Sequence, residues 1–135
     1  MKKIKVYLDM DGTIADLYNQ NEWLPRLRNE DKTIFLECAP MLTQEKLLDL
    51  FNPNYYEIII LTMTPMNCTN EYHKQVIEQK CQWLEKYFPN IQKKIFKRYG
   101  HNKNLKNCAN AILVDDNETI RNCFKGIALN PATLW

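Results

Sequence analysis

Asp9 and Asp11 stand two residues apart in YLDMDGT, at the end of an apolar run and directly before Gly12 and Thr13. Asp and Gly are poor strand residues. The run therefore closes either in an ordinary Asp-Gly turn or in a strand tip that carries two carboxylates. A pair at this spacing has a definite chemistry. Asp9 can attack phosphorus as a nucleophile and form an aspartyl phosphate. Asp11, past the tip, can protonate a leaving alkoxide and then deprotonate the attacking water. Gly12 lets the chain turn away without a side chain blocking a substrate, and Thr13 offers a hydroxyl to phosphate oxygens.

Two other places carry matching residues. Thr62 closes the apolar run Ile58–Leu61, and Asp115 with Asp116 closes the run Ala111–Val114. Each has a bland reading alone: Thr62 is an unremarkable strand end, and the acidic pair can cap a following helix. Together they matter if the runs are parallel strands, because all three ends then lie on one sheet edge. Ligands of such sheets bind beyond the carboxyl ends of the strands. Four carboxylates gathered there repel one another and raise each other's pKa. A divalent cation with oxygen ligands relieves this, and magnesium, which takes one or two carboxylates plus substrate phosphate, fits best.

The elements that must position these residues read as follows. Ile4–Leu8 is a short strand and Leu17–Arg28 a helix limited by Pro25. No element is assigned over 33–39. Thr43 is an N-cap with Leu42 and Leu47 spaced as a hydrophobic staple, opening a helix to about Phe51. Glu57–Leu61 has the unbroken apolar run of a strand buried on both faces, ended by Thr62. Asn70–Phe88 is the longest helix, with Tyr72, Val76, Ile77, Leu84 and Phe88 on one face and Cys81 between them. Lys94–Tyr99 is a strand, Lys103–Asn110 a short helix, Ala111–Val114 a strand, Asn117–Phe124 a helix and Gly126–Leu129 a last strand. This alternation predicts an α/β, Rossmann-like three-layer αβα sandwich with a mostly parallel sheet. The whole of 1–135 reads as one domain.

Composition excludes several classes. The chain has 135 residues, 45% hydrophobic and 25% charged, with a net charge of +2, which is the profile of a globular protein. The basic residues are spread along the chain, apart from a run at Lys93, Lys94, Lys97 and Arg98 that reads as solvated surface, so nucleic-acid binding is not favoured. The five cysteines, Cys38, Cys68, Cys81, Cys108 and Cys123, include no CxxC pair. They read as reduced thiols in a cytoplasmic protein rather than as disulfides or a zinc site. Behind Lys2 and Lys3 the apolar stretch stops at Asp9, too short for a signal peptide or a membrane span. His73 reads as surface, and His101 lies close to Lys103.

DMDGT, a threonine closing an apolar strand, a downstream lysine and VDD, in that order, resemble the four motifs of the haloacid dehalogenase-like phosphohydrolases. YLDMDGTIADL, ILTMTP, GHNK and ILVDD resemble the 5'(3')-deoxyribonucleotidase-like branch. The resemblance spans nearly the whole chain. It implies Asp9 as nucleophile, Asp11 as general acid/base, Thr62 on the transferring phosphoryl, and a lysine that neutralises charge around it. Lys103 has the best context for that lysine; Lys94, Lys97 and Lys106 compete. Magnesium would be held by the Asp9 side chain, the Asp11 backbone carbonyl and the acidic pair, with Asp116 favoured as direct ligand. Gly12, Thr13, Thr62 and Lys103 would contact substrate.

The function expected is therefore a magnesium-dependent phosphomonoesterase acting on a small phosphate ester, a nucleoside monophosphate first. A phosphatase of nucleic-acid ends is the alternative, kept alive by the Lys93–Arg98 run. A non-catalytic relative is disfavoured because every catalytic position is filled. Signalling receiver domains use similar residues, but their acidic pair comes first in the chain rather than last. Only about residues 18–54 are available for a cap, so it is minimal or absent. Tyr18, Trp23 and Phe35 in that stretch are either core or a stacking surface for a base.

Overall fold

The chain at 4–8, 56–64 and 112–114 forms strands because each carries a short β-branched-rich apolar run with residues to bury on two faces. A computed structural model describes residues 2–100, 102–106 and 108–135. In chain order its elements are β1 (Ile4–Leu8), α1 (Trp23–Arg28), α2 (Gln44–Leu50), β2 (Tyr56–Thr64), α3 (Asn70–Tyr87), β3 (Lys93–Arg98), β4 (Ile112–Val114), α4 (Glu118–Cys123) and β5 (Ile127–Leu129). Short 3-10 turns lie at Cys108–Asn110 and Pro131–Thr133. The strands form one sheet in the order β3-β2-β1-β4-β5. Every pairing is parallel: Leu8 stands opposite Ile60 on one side and Val114 on the other.

Strand alternation divides the core in two. Val6, Leu8, Ile60 and Val114 share a cluster with Tyr72, Val76, Trp83, Leu84 and Phe88 of the α3 side. Tyr7, Ile59, Leu61 and Leu113 face the other way, onto Cys108 and Phe124. Both faces are therefore covered, as an all-parallel sheet requires. The strand order reverses direction about β1: β2 lies on one side and β4 on the other. The crevice of such a sheet opens at that switch point, beyond the carboxyl end of β1. No helix among the described residues is long and apolar enough to cross a membrane.

Helices α2, α3 and α4 start on side-chain caps, whereas α1 has none. Thr43, Thr69 and Asn117 accept hydrogen bonds from the backbone N–H groups of Lys46, Tyr72 and Ile120, each satisfying one orphan donor. Leu42 and Leu47 are both buried, as the staple predicts. Glu30 reaches across to accept from the Thr69 N–H and hydroxyl, at 2.8 and 2.9 Å. This ties the segment after α1 to the start of α3.

Several local expectations are corrected. The helix expected over 17–28 is only Trp23–Arg28, and 17–22 is mostly turns. Pro25 falls in the helix's first turn, where a missing N–H costs no intrahelical bond. Strand β2 does not end at Thr62 but runs on to Thr64. The helix expected at 103–110 is reduced to the 3-10 turn at Cys108–Asn110, and Lys103 stands in the irregular chain before it. The Lys93–Arg98 run is an edge strand, half-buried from Lys94 onward rather than fully solvated. Charged residues there blunt an open edge.

The stretch 31–39 is irregular, and α3 satisfies part of its backbone with side chains. Gln79 accepts from the Phe35 N–H, Trp83 donates to the Cys38 carbonyl, and Tyr72 donates to the Asp31 carbonyl. Buried backbone groups must be paired somewhere, and here the partners lie some forty residues downstream. The α3 face is thus centred on Tyr72, Val76, Lys80, Trp83 and Leu84, and Ile77 is only partly buried. Leu84→Ala should cost about 2–5 kcal/mol. In urea unfolding this appears as a lower midpoint with an unchanged slope.

Candidate active site

β1 ends at Leu8, and Asp9 continues it: its N–H donates to the Val114 carbonyl at 3.0 Å. The loop then folds tightly. The N–H groups of Thr13, Ile14 and Ala15 all converge on the Met10 carbonyl, and Gly12 adopts φ +79°. A side chain at position 12 would be strained at that φ. Its Cβ would also sit 2.4 Å from Asp116 Oδ2. Gly12 is required for the close approach of the Asp116 carboxylate. The Trp135 indole donates to the Thr13 carbonyl at 3.0 Å and braces the same loop.

Lys103 is almost fully buried. Its ammonium donates to Asp9 Oδ1 at 2.7 Å and to Asp115 Oδ2 at 2.6 Å. Asp115 Oδ1 accepts from the Asn117 N–H, so both its oxygens are engaged. Of the competing lysines, Lys97 supports Lys103 indirectly, donating to the carbonyls of Asn102 and Asn104. His101 lies outside the described residues. His73 is half-buried rather than on the surface, and its Nδ1 lies 2.8 Å from the Thr64 hydroxyl. Burial and the nearby Arg98 hold its pKa below the ordinary value.

The two threonines of the prediction sit differently from what was expected. Thr13 is fully buried. It hydrogen-bonds Asp9 Oδ2 and Asp116 Oδ1 and accepts from the Asp116 N–H, so its hydroxyl is engaged within the carboxylate cluster. Thr62 is also fully buried, and its hydroxyl accepts from Lys80 at 2.8 Å. Thr64, two residues on, is the β2 threonine that lines the cavity.

Lys80 is the residue that sequence reasoning missed. It is completely buried in α3, yet its ammonium donates at 2.8 Å each to Asp11 Oδ2, the Thr62 hydroxyl and the Met63 carbonyl. The Phe35 ring packs against it at 4.8 Å, a cation–π contact that makes Phe35 part of this support. A signal existed: Lys80 falls midway between Val76 and Leu84 on the apolar stripe, where a lysine must be buried.

The electrostatics separate the carboxyl groups. Burial opposes ionisation of Asp9, but the Lys103 charge and hydrogen bonds with Asp116, Lys103 and Thr13 outweigh it, so its pKa lies below the ordinary value. Asp11 is pushed the other way, by burial first and by Asp9, against the opposing pull of Lys80. Burial and Asp9 push Asp115 up to about 6. Burial and the hydrogen bond with Asp9 push Asp116 up to about 8. Lys103 is held above its ordinary value because Asp9 and Asp115 overcome the effect of burial.

A cavity of about 630 Å³ opens over these groups, lined at its base by Asp9, Asp11, Lys103, Asp115 and Asp116. Tyr18, Trp23, Leu27 and Arg28 form one wall and the 63–68 stretch another. The Tyr18 and Trp23 rings meet edge to face, with centroids 4.9 Å apart. Asp9, Asp115 and Asp116 each offer one oxygen within 4.8 Å of the others, an all-oxygen set of the kind hard cations take. Compared with known proteins, the chain matches no family model and no curated sequence.

The shift at Asp116 has a consequence for stability. Between 3.8, its ordinary value, and about 8, the folded protein holds a proton on Asp116 that the unfolded chain has released. Stability must therefore fall as pH rises through that window. In EDTA, the wild-type Tm should drop more between pH 5 and pH 8 than that of Asp116→Asn. Equal drops by circular dichroism would show that Asp116 is not the group responsible.

Proposed function

We propose that the protein is a magnesium-dependent phosphomonoesterase of the haloacid dehalogenase-like type, acting through an aspartyl phosphate on Asp9. The observation that carries this reading is the different pairing of two carboxyl groups in one cavity: Asp9 is ion-paired with Lys103, whereas Asp11 is held by Lys80 through one oxygen only. Asp9 is held ionised beside Lys103, and Asp11 is pushed toward its protonated form. Environments that drive two acids apart assign the roles of nucleophile and general acid.

In the first step an Asp9 oxygen attacks phosphorus, the bond from phosphorus to the ester oxygen breaks, and the departing alkoxide takes the Asp11 proton. In the second, water attacks the aspartyl phosphate and gives its proton to Asp11. The Asp9–phosphorus bond breaks, and phosphate leaves with Asp9 again a carboxylate. Lys103 neutralises charge on Asp9 and the phosphoryl oxygens. Thr64 lines the cavity at the end of β2 with its hydroxyl paired to His73, and Thr62 supports Lys80 behind it.

Magnesium fits the donor set. Four carboxyl groups, of Asp9, Asp11, Asp115 and Asp116, meet only two ammonium groups, of Lys80 and Lys103. Asp9 and Asp116 would hold the ion directly, with the Asp11 carbonyl, while Asp115 is committed to Lys103. When bound it would screen the phosphoryl charge and orient the transferring group.

The cavity volume is in the range that takes small-molecule ligands, and Tyr18 with Trp23 offers an aromatic wall for a nucleoside. This supports a nucleoside monophosphate as substrate, with the 18–30 stretch as a small cap. Nucleic-acid ends are less well supported, because Lys93, Lys97 and Arg98 bond Glu57, the 102–104 backbone and Asn70. The five free thiols fit a reducing, cytoplasmic setting.

Phosphate release from nucleoside monophosphates should require magnesium and stop in EDTA. Asp9→Asn should abolish it, since little of this slow reaction proceeds uncatalysed. Asp11→Asn should lose roughly 10²–10⁴-fold. Near-wild-type release by Asp9→Asn would refute the mechanism.

A further inference from the structure

We infer that Lys80 is a positioning residue that fixes the Asp11 carboxyl group for catalysis by anchoring it to the end of β2. The inference rests on the phosphatase reading, and within it gives a role to a residue that the four motifs do not include.

A lysine ammonium has three N–H donors. All three of Lys80 are used, at 2.8 Å each, and they diverge onto Asp11 Oδ2, Thr62 Oγ1 and the Met63 carbonyl. Two of these acceptors belong to β2, the rigid neighbour of β1. The third belongs to the loop after β1. The lysine therefore ties a loop side chain to the sheet through a fully buried group carried on α3. Burying an ammonium in this way is costly unless every donor is paired with good geometry. A residue kept merely to fill space between Val76 and Leu84 would be apolar.

The pairing is asymmetric within the carboxyl group. Asp11 Oδ2 is fixed by Lys80, whereas Oδ1 is buried and makes no hydrogen bond among the described residues. Asp11 lines the cavity, as does Met63, whose carbonyl Lys80 also holds. Oδ1 is thus the uncommitted oxygen of a group whose other oxygen cannot move. Catalytic groups must be held within a fraction of an ångström of their working position, and a bonded support behind them supplies this. Lys80 belongs to Asp11 as Lys103 belongs to Asp9.

A positioning role acts through Asp11, so it must depend on how much the leaving group needs a proton. The test compares an alkyl ester, a nucleoside 5'-monophosphate, with p-nitrophenyl phosphate, whose leaving group departs without one. Lys80→Met keeps the stem and removes the charge. It should lower kcat on the nucleotide by about 10²-fold or more and on the aryl ester by less than about tenfold, with KM changed little on either. Added to Asp11→Asn, it should cost almost nothing further, because residues acting as one unit are not additive.

Equal losses on both esters, or losses that add in the double variant, would overturn the inference. Either result would make Lys80 a direct contact or a purely structural residue. If Lys80→Met does not fold by circular dichroism, the same comparison is read on Lys80→Arg. Its planar guanidinium keeps the charge but cannot reproduce three divergent bonds. A selective loss on the nucleotide is expected there too, and wild-type or uniformly reduced rates would overturn the assignment. A wild-type protein that hydrolyses neither ester would remove the phosphatase reading and this role with it. Activity with a uniform Lys80 effect would remove only the role.

Discussion

Four carboxyl groups converge beyond the carboxyl edge of the sheet, and two buried ammonium groups make that convergence tolerable. Lys103 bridges Asp9 and Asp115, while Lys80 bridges Asp11 and the end of β2. Each charge is costly to bury alone and acceptable only with its partners in place. The rest of the structure follows from holding these pairs together. The parallel register brings Asp9 and Asp115, more than a hundred residues apart, onto adjacent strand ends. Helix α3 is long enough to deliver a lysine from below the sheet edge. Gly12 allows the loop to fold tightly enough for Asp116 to approach.

The same constraint sets up chemistry. Two carboxyl groups two residues apart, alike in kind but different in partner, acquire different proton affinities. Asp9 is satisfied by donors on all sides, whereas Asp11 is desolvated and has one oxygen unpaired. Burial first, and Asp9 beside them, push Asp115 up to about 6 and Asp116 up to about 8. Under the proposed function, a cation held by Asp9 and Asp116 would relieve the crowding of these carboxyl groups.

Much of this was legible from residue types. The apolar runs at 4–8, 57–61 and 111–114 announced buried strands, and the acids after the first and the last announced the edge. Lys103 stood out through its place before the acidic pair. Other features depended on contacts that no local pattern encodes. In the irregular 31–39 stretch, Tyr72, Gln79 and Trp83 pair backbone groups of Asp31, Phe35 and Cys38 from α3. The short α1 is set by tertiary support as much as by propensity: Arg26 is paired with Asp31 and Glu37. Thr13 looked like a substrate contact because its hydroxyl follows the acids, but only the folded loop shows it turned inward to Asp9 and Asp116. Lys80 was hidden differently. It interrupts an apolar stripe among glutamines and glutamates, and a charged residue there reads as surface until the stripe is counted position by position.

The central claim is that Asp9 carries the phosphoryl group, and chemical trapping tests it most directly. The protein is mixed with a phosphate ester and magnesium, quenched within the first turnover and reduced with borohydride, which converts an aspartyl phosphate to homoserine. Peptide mass spectrometry should then find homoserine at position 9 and nowhere else, and none in Asp9→Asn. Phosphate release with position 9 unmodified, or with the label on another residue, would contradict the account.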